Sequence, residues 1–270
     1  MEFGVGLVAF KMTDKEINTI SKSISFYEPY YKVVVDNSPT DSSKHAFVEW
    51  GWKYIHDPSN PGFGASHNRI FHTYGKLASF HLIVNPDVSF DNNILEILIK
   101  FLKDTDDAGC VMPKVYYPSG KIQKSAKLLP TSYQLIFGRL WIFGNKIRRQ
   151  TEFTLEQYNK GVFRAPFISG CFVLFKTEAL NEVDFFDESF FMYMEDMDLS
   201  RRLWNAKKFP YFNSTVNIVH SESRGSTRNL RLLIKHLQSA FIYYFKWGFN
   251  NKEIREINRQ AKKFILNSGQ

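Results

Sequence analysis

The stretch Phe80-His81-Leu82-Ile83-Val84-Asn85-Pro86-Asp87 is an apolar strand that halts on three turn-forming residues. The same construction stands upstream, where the β-branched run Tyr31 to Val35 stops at Asp36-Asn37-Ser38-Pro39. Before it, Phe3 to Phe10 is an apolar run with interspersed glycines, and Thr13-Asp14-Lys15-Glu16 opens a helix through Ser25 with a capping box. Lys53 to Ile55 reads as a third short strand, followed by the loop Asp57 to Gly64 and a helix to about Tyr74. A helix from about Asn93 to Lys103 leads into a strand at Gly109 to Met112. Strands alternating with helices at this spacing predict an α/β fold with a mostly parallel central sheet flanked by helices on both faces.

After Pro113 the pattern loosens, with turn signals at Tyr117 to Gly120 and an aromatic-rich segment from Tyr133 to Phe143. Regularity returns with a strand at Phe172 to Phe175, a helix at Glu195 to Asn205 and a strand from Phe209 to Val219 that closes on His220. The last fifty residues read as two helices, Arg228 to Lys246 and Asn251 to Leu266.

A chain of 270 residues, 44% of them hydrophobic, can bury one large core, or one core with a small appendage. Cys110 and Cys171 are too far apart in sequence to suggest a disulfide framework or a zinc cluster, so a reducing cytoplasm is the expected compartment. The start MEFGVGLVAF lacks the basic segment and cleavage site of a signal peptide and reads as a first strand. No uninterrupted apolar run approaches the ~20 residues that span a bilayer, which predicts a soluble or peripheral protein. The net charge of +8 is a C-terminal property: Ser221 to Gln270 holds ten Lys and Arg against three acids. No nucleic-acid module accompanies that charge, so no nucleic-acid partner is expected.

In open α/β sheets, ligands bind beyond the carboxyl ends of the strands. Three polar clusters fall there: Asp36-Asn37-Ser38, the Asn60 to Gly64 loop with Asn68, and Asn85-Pro86-Asp87. Each alone is what any α/β protein shows, and their order and spacing carry the reading. Gly62 and Gly64 would let backbone approach a ligand closely, although the loop has neither dinucleotide nor Walker spacing. Asp184 to Asp198 interleaves six acids with Phe185, Phe186, Phe190, Phe191, Met192, Tyr193 and Met194. It is either a solvated acidic turn with an acidic first helical turn favoured by the helix dipole, or a source of a general base in a water-poor site. His220 alone reads as an ordinary strand-end histidine; paired with Asp87 it becomes a candidate ligand for Mg²⁺ or Mn²⁺ on a diphosphate.

Six segments then match a known family in order: VVDNSPTD (Val34 to Asp41), NPGFGASHN (Asn60 to Asn68), LIVNPDV (Leu82 to Val88), SGCFVLFKTEAL (Ser169 to Leu180), FFDESFFMYMEDMDLSRRL (Phe185 to Leu203) and His220. The sequence resembles a family 2 glycosyltransferase of GT-A (Rossmann-like) fold, and within that family the bacterial rhamnosyltransferases of O-antigen and cell-wall polysaccharide assembly. The resemblance implies a GT-A catalytic domain over residues 1–220, its nucleotide-binding half about 1–112 and its acceptor-binding half about 113–220, with a basic helical extension over 221–270.

It also implies roles. Ala9, Asp36, Asn60, Gly62, Phe63, Gly64, Asn68, Asn85 and Asp87 would line the nucleotide and donor-sugar site, with Asp36 on the pyrimidine. Asp87 would hold the divalent cation, Mg²⁺ or Mn²⁺, where the family's DxD motif ends; here its first aspartate is Asn85. Gly170, Cys171 and Glu195 would stand on the acceptor side, Asp196 would be the catalytic base, and His220 would help hold the cation. Arg224 and Arg228 would either neutralise the diphosphate or carry surface charge. The implied activity is inverting transfer of a sugar, rhamnose from dTDP-rhamnose or another UDP- or dTDP-sugar, to a glycan or lipid-linked glycan acceptor. The implied location is cytoplasmic, peripheral on the inner face of the membrane.

The segment Arg228 to Lys246 mixes Leu, Ile, Phe and Tyr with basic residues. It suits either an interfacial helix on an anionic membrane surface or a helix packed on the core. A sugar-nucleotide pyrophosphorylase would need a basic glycine-rich N-terminal loop that this chain lacks, and a catalytically silent nucleotide-sugar binding protein is the rival from another class. Loops such as Lys114 to Phe167 would set donor and acceptor specificity.

Overall fold

The structure, a computed structural model, describes residues 2–135, 146, 149–221 and 230–267. Four parallel strands, β1 (Phe3–Ala9), β2 (Tyr31–Asp36), β3 (Lys53–His56) and β4 (Phe80–Val84), lie side by side in the order β3-β2-β1-β4. Phe3, Val5 and Leu7 of β1 and Leu82 and Ile83 of β4 are fully buried, which is the apolar run that a strand covered on both faces requires. Each such side chain contributes on the order of 1.5–3 kcal/mol by leaving water.

Helix α1 (Asp14–Ser25) starts from the capping box read in the sequence: Glu16 N–H donates to Thr13 Oγ1 at 3.3 Å and Thr13 N–H to Glu16 Oε2 at 2.8 Å. Its Ile17, Ile20 and Ile24 face the core. Helix α2 (Lys44–Glu49) and helix α3 (Phe63–Tyr74) complete this half. The chain steps outward from β1 to β2 to β3 and returns on the other side of β1 as β4, so the carboxyl ends of β1 and β4 form a topological switch point.

The second half of the sheet is mixed. After β5 (Val88–Ser89) and helix α4 (Ile94–Asp104) come β6 (Ala108–Tyr116), β7 (Ile122–Gln123), β8 (Ala126–Lys127), helix α5 (Leu155–Tyr158), β9 (Val162–Arg164), β10 (Phe167–Ile168) and β11 (Phe172–Lys176). Helices α6 (Thr177–Val183) and α7 (Glu195–Asn205) follow, then β12 (Phe209–His220). Strand β11 runs antiparallel between β4 and β6, and β12 lies parallel to β6. Opposite Pro113, which has no N–H to donate, β12 shifts register between Asn213 and Asn217. The parallel pattern predicted from the first half therefore gives way to a reversed central strand in the second.

The C-terminal helices α8 (Leu230–Trp247) and α9 (Lys252–Asn267) pack on α7. Tyr243, Ile254, Ile257 and Ala261 share a core cluster with Phe190, Met194, Met197 and Trp204. The buried Arg201 guanidinium pairs with Glu253 and donates to Tyr243 Oη at 3.3 Å. These contacts seat the inward faces of α8 and α9 on the core, and no described helix is long and apolar enough to cross a membrane.

Candidate active site

Asp36 is the last residue of β2 and pairs in register with Ala9, the last of β1. Its carboxylate is buried and engaged on both oxygens: Ser38 N–H donates to Oδ1 at 2.9 Å, while Tyr54 Oη, at 2.7 Å, and the Ser43 hydroxyl donate to Oδ2. Burial works to raise its pKa, but the hydrogen bonds from Ser38, Ser43 and Tyr54 outweigh it and hold the group below the ordinary carboxylate range. Asn37 N–H donates to Ala9 O at 2.9 Å, fixing the turn at the switch point.

Beside it, Asn85-Pro86-Asp87 follows β4. Asn85 N–H donates to Cys171 O at 2.8 Å, tying this turn to the start of β11. The two-residue β5 then pairs antiparallel with the end of β12, with Val88 opposite His220. That register brings His220 Nε2 to 3.1 Å from Asp87 Oδ1, while Ser221 N–H donates to Asp87 O at 2.9 Å. His220 Nδ1 donates to Gln123 Oε1 at 2.9 Å. Burial alone would lower the His220 pKa, yet Asp87 and the Cys171 thiol push it up to about 10.

Among the described residues no group of three or more His, Cys, Asp or Glu converges as a metal cage. The Asp87–His220 pair nonetheless fits a divalent cation completed by substrate oxygens. The two groups now bind each other at 3.1 Å, and an ion would take the place of the proton between them, a carboxylate and an imidazole being donors that Mg²⁺ or Mn²⁺ accepts.

Asp196 sits in the first turn of α7. Tyr193 and Met194 both lie in the left-handed region (φ 69° and 67°), so the chain turns sharply and presents Glu195 and Asp196 at the helix start. Asp196 Oδ1 accepts from Met197 N–H at 2.9 Å, and the Gly170 N–H points at Oδ2 over 3.4 Å. Burial pushes its carboxyl up to about 6, against the backbone N–H groups of Gly170 and Met197. Burial and the Asp196 charge raise the neighbouring Glu195 well above its ordinary range, and its Oε2 is buried without a hydrogen-bond partner. Both line a largely apolar cavity of about 340 Å³ that Lys127, Phe167, Tyr193 and His236 help enclose. Three of the other four acids of this segment are spent on structure: Asp187 and Asp198 bind Lys246, Asp198 also Arg202, and Glu188 accepts from Asn68.

Asp36, Asn85, Asp87, Gly170, Cys171 and His220 thus lie along one edge of the sheet, with Asp196 joined to it at Gly170. Gly170 and Cys171 are the joint, Gly170 directed at Asp196 and Cys171 bonded to the Asn85 turn. The loop from Asn60 behaves differently from the close ligand approach read from its glycines. Gly62 has φ 110°, and a Cβ there would stand 2.3 Å from Phe191 O; one on Gly64 would meet Phe186. The space is taken by protein. Asn68 likewise commits its amide to Phe186, accepting from its N–H at 3.0 Å and donating to its carbonyl at 2.8 Å. These residues clamp the acidic segment onto α3, and Phe63 packs near Gly170. Asn60, also left-handed (φ 49°), closes the turn from Asp57. Arg224 and Arg228 lie outside the described residues.

Tyr54, Ser43, Gln123, Lys127 and His236 were not read from the sequence as part of the site. They sit outside its motifs, in segments where only spatial proximity reveals them.

A family model described as "Glycosyl transferase family 2" matches residues 15–184. Among curated proteins, the N-acetylglucosaminyl-diphospho-decaprenol L-rhamnosyltransferase of Mycobacterium tuberculosis is 25% identical over 239 residues, covering 83% of this chain and 77% of that protein. Among solved structures, the mannosyltransferase of Pyrobaculum calidifontis in complex with GDP-Man and Mn²⁺ superposes with a TM-score of 0.60 at 14% identity, covering 99% of this chain and 73% of the other. GalNAc-T7 with UDP, GalNAc and Mn²⁺ gives 0.64 at 12% identity, covering 99% and 56%. The structural likeness establishes the fold.

Proposed function

The chain belongs to glycosyl transferase family 2, and on that premise we propose that this glycosyltransferase moves rhamnose from dTDP-rhamnose to a hydroxyl of a lipid-linked glycan in bacterial surface polysaccharide synthesis. The observation that carries the reading is the Gly170-Cys171 joint, which sets Asp196 on one side and Asp87 with His220 on the other. A transfer site needs these two halves, one to receive a proton from the acceptor and one to receive charge from the donor. The acceptor preference rests on the likeness to the decaprenol-linked rhamnosyltransferase and on the apolar cavity beside Asp196.

In the proposed chemistry, Asp196 takes the proton of the acceptor hydroxyl as its oxygen attacks the anomeric carbon. The bond to the diphosphate oxygen breaks on the opposite face, so the configuration inverts. Glu195, whose proton burial and the Asp196 charge favour, stands beside Asp196 on the acceptor side. Asp36, rigid in its three hydrogen bonds, faces the base. Asp87 and His220 are the residues that would hold Mg²⁺ or Mn²⁺, whose charge neutralises the leaving diphosphate. The acceptor's lipid places the enzyme on the cytoplasmic membrane face.

The test is transfer from a panel of UDP-, GDP- and dTDP-sugars to a lipid-linked acceptor, with and without Mn²⁺. The expected result is turnover of dTDP-rhamnose that depends on the cation. Turnover of another sugar alone would replace the donor, and turnover of none would contradict transfer altogether.

A further inference from the structure

Helix α8 has two unlike faces. Inward, Ser239 and Tyr243 are buried, Ser239 Oγ donates to Met192 O at 2.7 Å, and the His236 ring packs on Tyr193 at 5.4 Å. These contacts brace the left-handed Tyr193-Met194 turn that presents Glu195 and Asp196. Outward, Ile234, Leu237, Phe241 and Phe245 recur at helical spacing and are 47%, 40%, 72% and 87% exposed. Past the helix end Phe249, 67% exposed, stacks flat on Tyr244 at 4.9 Å.

Single exposed apolar residues are ordinary, but a contiguous row marks a surface that something covers. The basic residues identify what. The turn carrying Phe249 leads straight into Lys252 and Arg255, both exposed, and Arg259, Lys262 and Lys263 continue the exposed side of α9. Lys235 stands within the apolar row itself, its ammonium 4.5 Å from the centre of the Phe191 ring. Aromatic side chains beside exposed cations, Arg259 alone of those named being ion-paired among the described residues, to Glu256, match a bilayer interface, where rings enter the head-group boundary and the cations meet anionic lipid. A second copy of this chain would bring its own excess of positive charge against this one. Five side chains also fall well short of the roughly 20–30 residues per side of a stable protein interface.

We propose that α8 is a membrane-docking element: its outward row, Ile234, Leu237, Phe241 and Phe245 with Phe249 beyond, inserts into the surface of an anionic bilayer while its inward face braces the catalytic turn. The link to catalysis rests on the lipid-linked acceptor of the proposed function. His236 lines the Asp196 cavity from the same helix, so docking brings that cavity to the head-group level, where a lipid-bound glycan stands.

The experiment is co-sedimentation of the full chain with vesicles of phosphatidylcholine mixed with phosphatidylglycerol, and with phosphatidylcholine alone, none containing acceptor. The wild type is expected to bind the anionic vesicles and to leave them at high salt. The double variant Phe241→Ser/Phe245→Ser is expected to lose about tenfold or more in vesicle affinity, with an unchanged melting curve and unchanged transfer to a short soluble acceptor. A wild type that stays in solution with every vesicle, or a variant that binds as well as the wild type, overturns the proposal. So does a wild-type dimer in light scattering that the two substitutions dissociate. Because the vesicles carry no acceptor, a failure of the lipid-linked reading would appear only in the transfer assay.

Discussion

His220 Nε2 stands 3.1 Å from Asp87 Oδ1 because Val88 and His220 are register partners across the β5–β12 ladder. The other ring nitrogen is held by Gln123 Oε1 at 2.9 Å. That bond fixes a proton on Nδ1 while Nε2–H donates to Asp87; a metal ion would take the place of this second proton, with Gln123 as the outer partner that orients the imidazole.

Manganese binding should therefore depend on all three residues. In titrations of Mn²⁺ with nucleoside diphosphate present, followed by the Mn²⁺ resonance signal, Asp87→Asn is expected to weaken binding on the order of 10- to 100-fold, and Gln123→Leu about tenfold. Unchanged affinity in Asp87→Asn would place the cation elsewhere.

Two histidines make stability sensitive to acid. His67 and His81 are fully buried between α3 and β4, and burial holds His67 well below its ordinary pKa and brings His81 down to about 3. The unfolded chain binds these protons below about 6.5 while the folded chain does not, so stability is full above that pH and falls as pH drops from about 6.5 toward 3. Neither His67 nitrogen has a partner. Replacing His67 with Leu should flatten the dependence of melting temperature on pH and raise stability at neutral pH by about 1 kcal/mol. A variant that is less stable and equally acid-sensitive would show that His67 has a bonded role.

The C-terminal extension should be thermodynamically continuous with the catalytic part. Arg201 is 2% exposed and its partner Glu253 is partly exposed. Glu253→Ala leaves a buried guanidinium with a weakened set of acceptors, at a cost of about 1–3 kcal/mol after allowance for solvent at Glu253. Arg201→Met/Glu253→Gln should cost less than Glu253→Ala alone. Urea unfolding decides it: a single transition is expected, whereas two would make α8 and α9 a separate unit.

Burial of Asp196 gives the reaction an acid limb. The carboxyl must be ionised to accept a proton, and burial sets its pKa at about 6, so kcat/KM should fall about tenfold for each pH unit below that value. A limb near 4 would point to a solvated carboxylate.

The strands leading to Asp36 and to the Asn85-Pro86-Asp87 turn, the capped helix at Asp14 and the helix starting at Glu195 were legible because each carries a local signal: an apolar run with a turn cluster, a capping box, or acids before an apolar periodicity. What joins them was not. Strand β5 is two residues long, too short for any periodicity, yet it alone brings Asp87 to His220. Reversal of β11 between β4 and β6 is likewise a matter of tertiary pairing. The glycines of the Asn60 to Asn68 loop were visible as close-approach positions; that the approaching group is Phe191 and Phe186 of the acidic segment depends on a contact more than a hundred residues away. Tyr54 and Gln123, which orient Asp36 and His220, sit outside the recognised motifs.

The transfer rate of Asp196→Asn is the most direct measurement of the central claim, that this carboxylate and the Asp87–His220 pair serve one reaction. With the best donor, turnover should fall by roughly 10²- to 10⁴-fold while nucleoside diphosphate and Mn²⁺ bind as in the wild type. Turnover within a few fold of wild type would contradict it, because the acceptor's proton would then leave by a route that does not pass through Asp196.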